Sequence, residues 1–476
     1  MNTELINKDH FHLIGIGGIG MSAIAMALIK KGYSVSGSDL VKNQETQKLK
    51  ELGALIFDCQ IKNNIDFVLS KFQNQTINFV ISSAIKNENE ELSYCKRKNF
   101  LIKHRSEILA MIMKSYISIS IAGSHGKTST STFLSTLLEL CTHNSSSITG
   151  GIIPIYKSNA YVENTKFLVT EVDESDGTLN QYISNIGIIN NIDFDHCDHF
   201  SDINEVLSSF KKFASNSKKL LINHDCEITR KNFPSNNQWS NKECNNIAYS
   251  IIPNDINKNN TIGKYYENGN FIDSINIPVP GLHNLSNITA AIAASRMIGI
   301  SFNEIKNNIK SLELPKKRFE FRGKLNERII YDDYAHHPNE IRATINLARL
   351  FIQDTKKQKS RLVIIFQPHR FTRVKQFINE FVNELSKADV IYLTSIFGAG
   401  EKNIDNINSK LIADLIYKSN KNVKYLKNNY EIKDKFFELT EKEDFIINMG
   451  AGDCHNLWSI LNNKNNLESE NSNEKY

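Results

Sequence analysis

Lys127 and Thr128 are the residues whose setting says most about chemistry. They follow Gly123-Ser124-His125-Gly126 and stand between an apolar run and a helical pattern. A glycine turn that opens a helix leaves backbone N–H groups pointing one way at the positive end of the helix dipole, which suits phosphate. There Lys127 would meet the outer phosphates and the Thr128 hydroxyl a Mg²⁺. The general phosphate-loop pattern has four residues between its first glycine and the Gly-Lys pair, and here only Ser124 and His125 intervene, so the loop is a shortened variant. A second glycine set, Gly15, Gly17 and Gly20, has the G-x-G-x-x-G spacing, with Asp39 about 20 residues on, where a carboxylate can meet a ribose hydroxyl. This pattern calls for a nucleotide diphosphate without saying which; close packing of a helix on a strand would use the same glycines.

Carboxylates come next. Residues 167–172 read as a strand running into acid at Glu171, Asp173, Glu174 and Asp176. On a parallel sheet that end shares an edge with the phosphate loop, so Glu171 is the first candidate ligand for a phosphate-bound Mg²⁺. A further strand, 186–192, runs into Asp193, Asp195, His196, Asp198 and His199. Zinc would need a recurring ligand pair at fixed spacing, which is missing, so magnesium with His196 as inner or outer ligand is the better fit; capping of the next helix is the lesser alternative for that histidine. His283, Asn284 and Asn287 stand at the mouth of a small-residue helix after Pro280, where amide and imidazole groups could face a base. Arg370 and Arg373, after a fully apolar strand, suit a carboxylate, which guanidinium grips through two parallel bonds.

The elements that must hold these residues alternate. Residues 10–39 make one strand–helix–strand unit, with strand candidates at 54–57 and 78–83 and a helix ending near Lys114. Residues 232–273 read as a surface elaboration of turns and brief strands, and 314–323 as a hinge. Beyond it, four strands (328–331, 361–366, 388–393 and 444–449) alternate with helices and shed polar residues at their C-terminal ends, as a doubly wound sheet does. The expected fold is α/β in three domains. Residues 1–116 form a Rossmann-like N-terminal domain, 117–318 a central P-loop ATPase-type domain with a mostly parallel sheet, and 319–476 a C-terminal Rossmann-like domain with a disordered tail from about 462.

A chain of 476 residues is long enough for about three domains. A net charge of +5 without a basic block does not indicate nucleic acid. Seven scattered cysteines with no C-x-x-C argue against a disulfide framework or zinc knuckle and fit a reducing cytosol. No apolar stretch reaches the roughly 18 residues of a membrane span, so no membrane insertion is expected.

Together the motifs resemble the Mur ligase family, over about residues 10–458. The likeness rests on GIGGIGM at 15–21, SSAI at 82–85, GSHGKTST at 123–130, EVDESD at 171–176, NIDFDHCD at 191–198, GLHNLSN at 281–287, DDYAHHPNEI at 332–341, QPHRFTR at 367–373 and GAGD at 450–453. The shortened phosphate loop is the form this family uses. The resemblance implies a bacterial cytoplasmic enzyme of peptidoglycan synthesis, with ATP and Mg²⁺, acting on UDP-N-acetylmuramate and L-alanine; it leaves the oligomeric state open. It places the UDP-sugar on Gly15, Gly17, Gly18, Gly20, Asp39 and Ser83. ATP falls to Gly123, Ser124, His125, Gly126, Lys127, Thr128 and Ser129, with His283 and Asn287 at the adenine and Arg318 also in the set. Thr128, Glu171 and His196 would hold metal, with Lys127, Glu171 and His196 as the catalytic group. Tyr334, His336, Arg370 and Arg373 would hold the amino acid. Ala335 stands where the family pattern has glycine.

The implied reaction is phosphorylation of a carboxylate by ATP, followed by displacement of phosphate by the amine. A nicotinamide dehydrogenase would account for Gly15–Gly20 but leave Lys127, Glu171 and His196 without a role. A non-catalytic nucleotide switch is a second alternative. Within the family, a recycling ligase that adds a whole peptide to the same UDP-sugar is the nearest rival, and QPHRFTR favours the alanine-adding branch.

Overall fold

Apolar runs bounded by glycine or polar turns become the strands of three sheets. The computed structural model describes residues 9–175, 177–195, 199–353, 360–403 and 406–462. His196 and Asp198 of the acid-rich turn, Asp176 and the tail from 463 lie outside them.

The first sheet contains β1 (Asp9–Ile14), β2 (Ser34–Ser38), β3 (Leu55–Phe57), β4 (Thr76–Ile81) and β5 (Ile102–His104). Its order is β3-β2-β1-β4-β5, with all pairings parallel. The strand order reverses beside β1, so the loop after β1 opens at the switch point, where doubly wound sheets bind ligands.

The second sheet has ten strands: β6 (Ile117–Ala122), β7 (Ser145–Ile153), β8 (Ser158–Tyr161), β9 (Phe167–Glu171), β10 (Ser184–Ile189), β11 (Ser217–Asn223), β12 (Asn237–Ser240), β13 (Tyr249–Ile256), β14 (Thr261–Glu267) and β15 (Asn270–Ile277). Their order is β15-β14-β13-β12-β11-β10-β6-β9-β7-β8. Central β6 pairs in parallel with β9 and β10, which brings the ends of three strands to one edge. Residues 232–273, expected as surface turns and brief strands, supply β12 to β14 and part of β15, and these strands extend the sheet itself at one edge. Ile251 and Tyr265 are buried among their polar residues, as is Ile275 in the remainder of β15, and Tyr265 stacks on Phe302 at 4.2 Å. An antiparallel edge needs only one buried face, so a polar composition does not prevent long strands.

The third sheet, ordered β16-β17-β21-β18-β19-β20, holds β16 (Glu320–Leu325), β17 (Arg328–Asp333), β18 (Leu362–Phe366), β19 (Val390–Leu393), β20 (Val423–Tyr425) and β21 (Phe445–Met449). The four expected strands are present. Two edge strands are additional: β16, antiparallel to β17, occupies part of the expected hinge, and β20 is short and half exposed.

The chain divides into two compact units, one carrying the first two sheets and the other the third, from Lys317 onward. Within the first unit, Phe11, Met21 and Ala25 share an apolar cluster with Ala160, Val162 and Leu168, and the helix Ile19–Lys30 lies against β7 and β8. Among the described residues no helix is long and apolar enough to cross a membrane.

Candidate active site

The loop after β1 is closed by its own strand neighbour. Gly15 and Ile16 donate N–H groups to the Ser38 carbonyl at 2.8 and 3.0 Å. Asp39 accepts the Gly17 N–H at 2.8 Å on one carboxylate oxygen and the Val41 N–H at 3.0 Å on the other. Its carboxylate therefore shapes the glycine loop. Gly18 precedes the helix Ile19–Lys30, and Gly20 lies in that helix's first turn, where an added Cβ would sit 3.1 Å from Arg105 Nη1. Arg105 thus lays a guanidinium over the loop while donating through Nη2 to Asp173 at 2.9 Å. Ser83, exposed after β4, faces His104 Nε2 at 3.1 Å.

The second loop follows β6. Gly126 adopts φ 80° as the residue before the helix Lys127–Leu140, and a Cβ there would run into the side-chain carbonyl of Asn287. Only glycine combines that backbone with that approach. Ser124 and His125 are tied to the turn after β10: the Ser124 N–H donates to Asn191 O at 3.1 Å, the His125 N–H to Asn191 Oδ1 at 2.8 Å, and the Ser124 hydroxyl to Asp193 O at 3.2 Å. Ser129 is buried behind the loop.

Lys127 Nζ folds back over this loop, donating to Gly123 O at 2.6 Å and to both oxygens of Glu174 at 2.9 and 2.7 Å. Burial alone would depress the lysine, but Glu174 with Asp173 and Glu171 outweighs it and holds the ammonium above its ordinary value. Thr128 Oγ1 donates to Glu171 Oε2 at 3.1 Å, while Ser131 Oγ and the Gly150 N–H donate to Oε1 at 3.0 and 2.8 Å. Desolvation raises the Glu171 carboxyl above the usual range despite those donors and Lys127.

The helix Leu282–Met297 runs beside Lys127–Leu140. His283 and Asn287 are one turn apart, so they share a face; His283 is exposed at the helix start and Asn287 is buried, accepting from Thr130 Oγ1 at 3.3 Å.

In the second unit, β17 ends in Asp333, which accepts N–H groups from Ala335 at 2.7 Å and Phe319 at 2.8 Å. Burial pushes its carboxyl up to about 6, against the pull of Arg318. Arg318, expected among the ATP residues, packs within this unit over the Tyr334 ring at 5.2 Å. Tyr334 meets His336 edge-on at 5.5 Å, and His336 meets His369 at 5.8 Å. Arg373 is buried and approaches His369 Nδ1 at 3.2 Å, whereas Arg370 faces Glu401 at 3.5 Å. Three of the four amino-acid candidates therefore form one contiguous set through His369.

Several residues that contact these candidates and loops were not singled out from sequence. Glu174 stood in the acid run but took second place to Glu171. Arg105, in HRSEIL, and Glu340, four residues after His336, had only their spacing to mark them. His196 lies outside the described residues.

A glycine turn bearing lysine and threonine at the C-terminal edge of a mostly parallel sheet defines the P-loop class of α/β protein. The chain belongs to the Mur ligase family: it matches the Mur ligase family catalytic domain over residues 10–117, the Mur ligase middle domain over 121–295 and the Mur ligase glutamate ligase domain over 317–452. It is similar to the UDP-N-acetylmuramate–L-alanine ligase of Prochlorococcus marinus subsp. pastoris, 77% identical over 98% of this chain and 100% of that one. In structure it resembles the UDP-N-acetylmuramate–alanine ligase of Thermotoga maritima, with a TM-score of 0.79 at 23% identity over 95% of this chain and 98% of that one. A murein peptide ligase of Psychrobacter arcticus aligns with a TM-score of 0.71 at 20% identity, over 95% and 98%.

Proposed function

We propose that the chain is an ATP-dependent ligase that joins L-alanine to the lactyl carboxylate of UDP-N-acetylmuramate through an acyl phosphate, releasing ADP and phosphate. The observation that carries this is the full-length likeness, at 77% identity, to a protein named for that activity. The loop geometry is consistent with it. Lys127 is charged and stands over the Gly123 carbonyl, where it can offset charge gathering on a transferring phosphoryl group. The loop amides and the helix start orient the phosphates. His283 and Asn287, on one helix face, suit the adenine. Gly15, Gly17, Gly18, Gly20, Asp39 and Ser83 suit the UDP end of the sugar, with Arg105 as an added cation over the same loop. Tyr334, His336, Arg370 and Arg373 suit the amino acid, the guanidinium groups taking its carboxylate.

The Thr128 hydroxyl and Glu171 fit Mg²⁺: two hard oxygen donors on adjacent strand and helix ends, 3.1 Å apart, one of them a carboxylate raised by burial that a cation would favour in its charged form. His196 is proposed as a further ligand. Bound there, Mg²⁺ would neutralise phosphate oxygens. We place the protein in the bacterial cytoplasm, where ATP and the UDP-sugar are available.

Phosphate release from ATP, measured with UDP-N-acetylmuramate and each of L-alanine, glycine, L-serine and a murein tripeptide, tests the reading. Release is expected with L-alanine; release with the tripeptide alone selects the recycling ligase, and none with any amino acid overturns the proposal.

A further inference from the structure

An α-amino group is almost entirely ammonium at neutral pH and cannot attack carbon until it loses a proton, so the ligation step needs an acceptor for that proton. The residues proposed around the amino acid differ sharply in their ability to serve. Arg370 and Arg373 are donors only. Tyr334 keeps its proton, since burial raises its phenol above the ordinary value. His369 is turned the wrong way, because its Nδ1 faces the Arg373 guanidinium at 3.2 Å and must be the acceptor, which leaves hydrogen on Nε2.

His336 has the opposite arrangement. Its Nδ1 lies 3.0 Å from the Tyr334 carbonyl oxygen and 3.2 Å from Glu340 Oε2. Both neighbours accept, so Nδ1 carries the hydrogen and the neutral ring has its lone pair on Nε2. Glu340 sits in the first turn of the helix Pro338–Gln353 and also accepts the His336 N–H at 3.0 Å, with Arg318 Nη1 at 3.8 Å on its other oxygen. A helix-start carboxylate that only satisfied backbone amides would account for the N–H contact but not for the one to the ring.

We propose that His336 is the general base of the ligation step, accepting the ammonium proton on Nε2, and that Glu340 is the positioning residue that fixes its tautomer. This rests on the acyl-phosphate reaction proposed above. The proton passes from the ammonium to Nε2, and the neutral amine attacks the acyl carbon. The C–N bond forms as the C–O bond to the phosphoryl group breaks, and that electron pair leaves with phosphate. Phosphate takes the second nitrogen proton, and the imidazolium returns its own to solvent.

Hydroxylamine separates the two half-reactions, because it is a neutral nucleophile at pH 7.5 and traps an acyl phosphate as hydroxamate without a base. The full chain, His336→Asn and Glu340→Gln are each given ATP and UDP-N-acetylmuramate with L-alanine or hydroxylamine. The amide-to-hydroxamate ratio is expected to fall on the order of 100-fold in His336→Asn, through kcat rather than the KM for alanine. Glu340→Gln is expected to lower the ratio less and to move the acid limb of amide formation to lower pH. That direction follows from loss of the carboxylate facing His336, with Tyr334, His369, Arg373 and Arg318 left in place. An unchanged ratio with a raised KM for alanine makes His336 a binding residue only and overturns the assignment. An unmoved acid limb overturns the part given to Glu340. Hydroxamate made by a variant also reports that it is folded. Loss of both products in His336→Asn and again in His336→Gln overturns the proposal, since a base for the amine has no part in making the acyl phosphate. Amide without hydroxamate from the unaltered chain would count instead against the acyl-phosphate reading beneath it.

Discussion

Lys127 and Glu174 form a two-pronged ion pair, Nζ lying 2.7 and 2.9 Å from the two carboxylate oxygens, with side chains 16% and 2% exposed. A pair so far removed from water is costly to break from one side. Lys127→Met is therefore expected to lower unfolding stability in urea by roughly 3 kcal/mol, and turnover by about 10²- to 10³-fold. Lys127→Met combined with Glu174→Gln should recover most of the stability and none of the turnover. Equal stability of the single and double variants would show that the carboxylate does not depend on its lysine.

Gly126 carries the second prediction. A side chain there meets both a left-handed backbone, which costs about 1–2 kcal/mol for an L-residue, and the Asn287 amide. Gly126→Ala should weaken nucleotide binding measured by calorimetry by more than about tenfold, the equivalent of roughly 1.4 kcal/mol. Unaltered affinity would mean that the two helices can part without disturbing the loop.

His10 gives a pH dependence remote from the chemistry. It is fully buried on β1, between the hydroxyls of Ser34 and Ser36 at 2.8 and 2.7 Å. Burial, with His12 and Lys71 adding to it, lowers its imidazole from 6.5 to about 3. Between those values the unfolded chain binds a proton that the folded chain refuses. Its contribution is thus complete above pH 6.5 and is lost as the pH falls toward 3, at up to about 1.4 kcal/mol per pH unit. Urea unfolding between pH 4.5 and 7 should show a shallower slope for His10→Gln than for the unaltered chain; parallel slopes would assign the acid sensitivity elsewhere.

Ala335 is buried and does not have a positive φ, so the backbone at this position makes no demand for glycine. Ala335→Gly is expected to lose about 0.4–1 kcal/mol through the greater entropy of the unfolded chain. Thermal unfolding would register this as a lower midpoint, and a raised midpoint would mean that the alanine is strained.

The sequence by itself determined the apolar inner strands, the two glycine loops and the acids that follow β9, because apolar periodicity, glycine turns and Lys-Thr at a helix start are local signals. The same locality limited it. Residues 232–273 read as a surface elaboration of turns and brief strands because their polar members dominate the composition, while the burial of Ile251 and Tyr265, and of Ile275 just beyond, acquires meaning only against the rest of a sheet. Edge strand β16 was hidden in what read as a hinge, since an edge needs little apolar content. Only the tertiary structure decided that Lys127 is held by Glu174 rather than by Glu171, that Arg105 lies over the first loop, and that Arg318 packs on Tyr334. Partners 47 or 68 residues apart are joined by the order of strands in a sheet, and that order is set by the burial of whole faces, which no local spacing records.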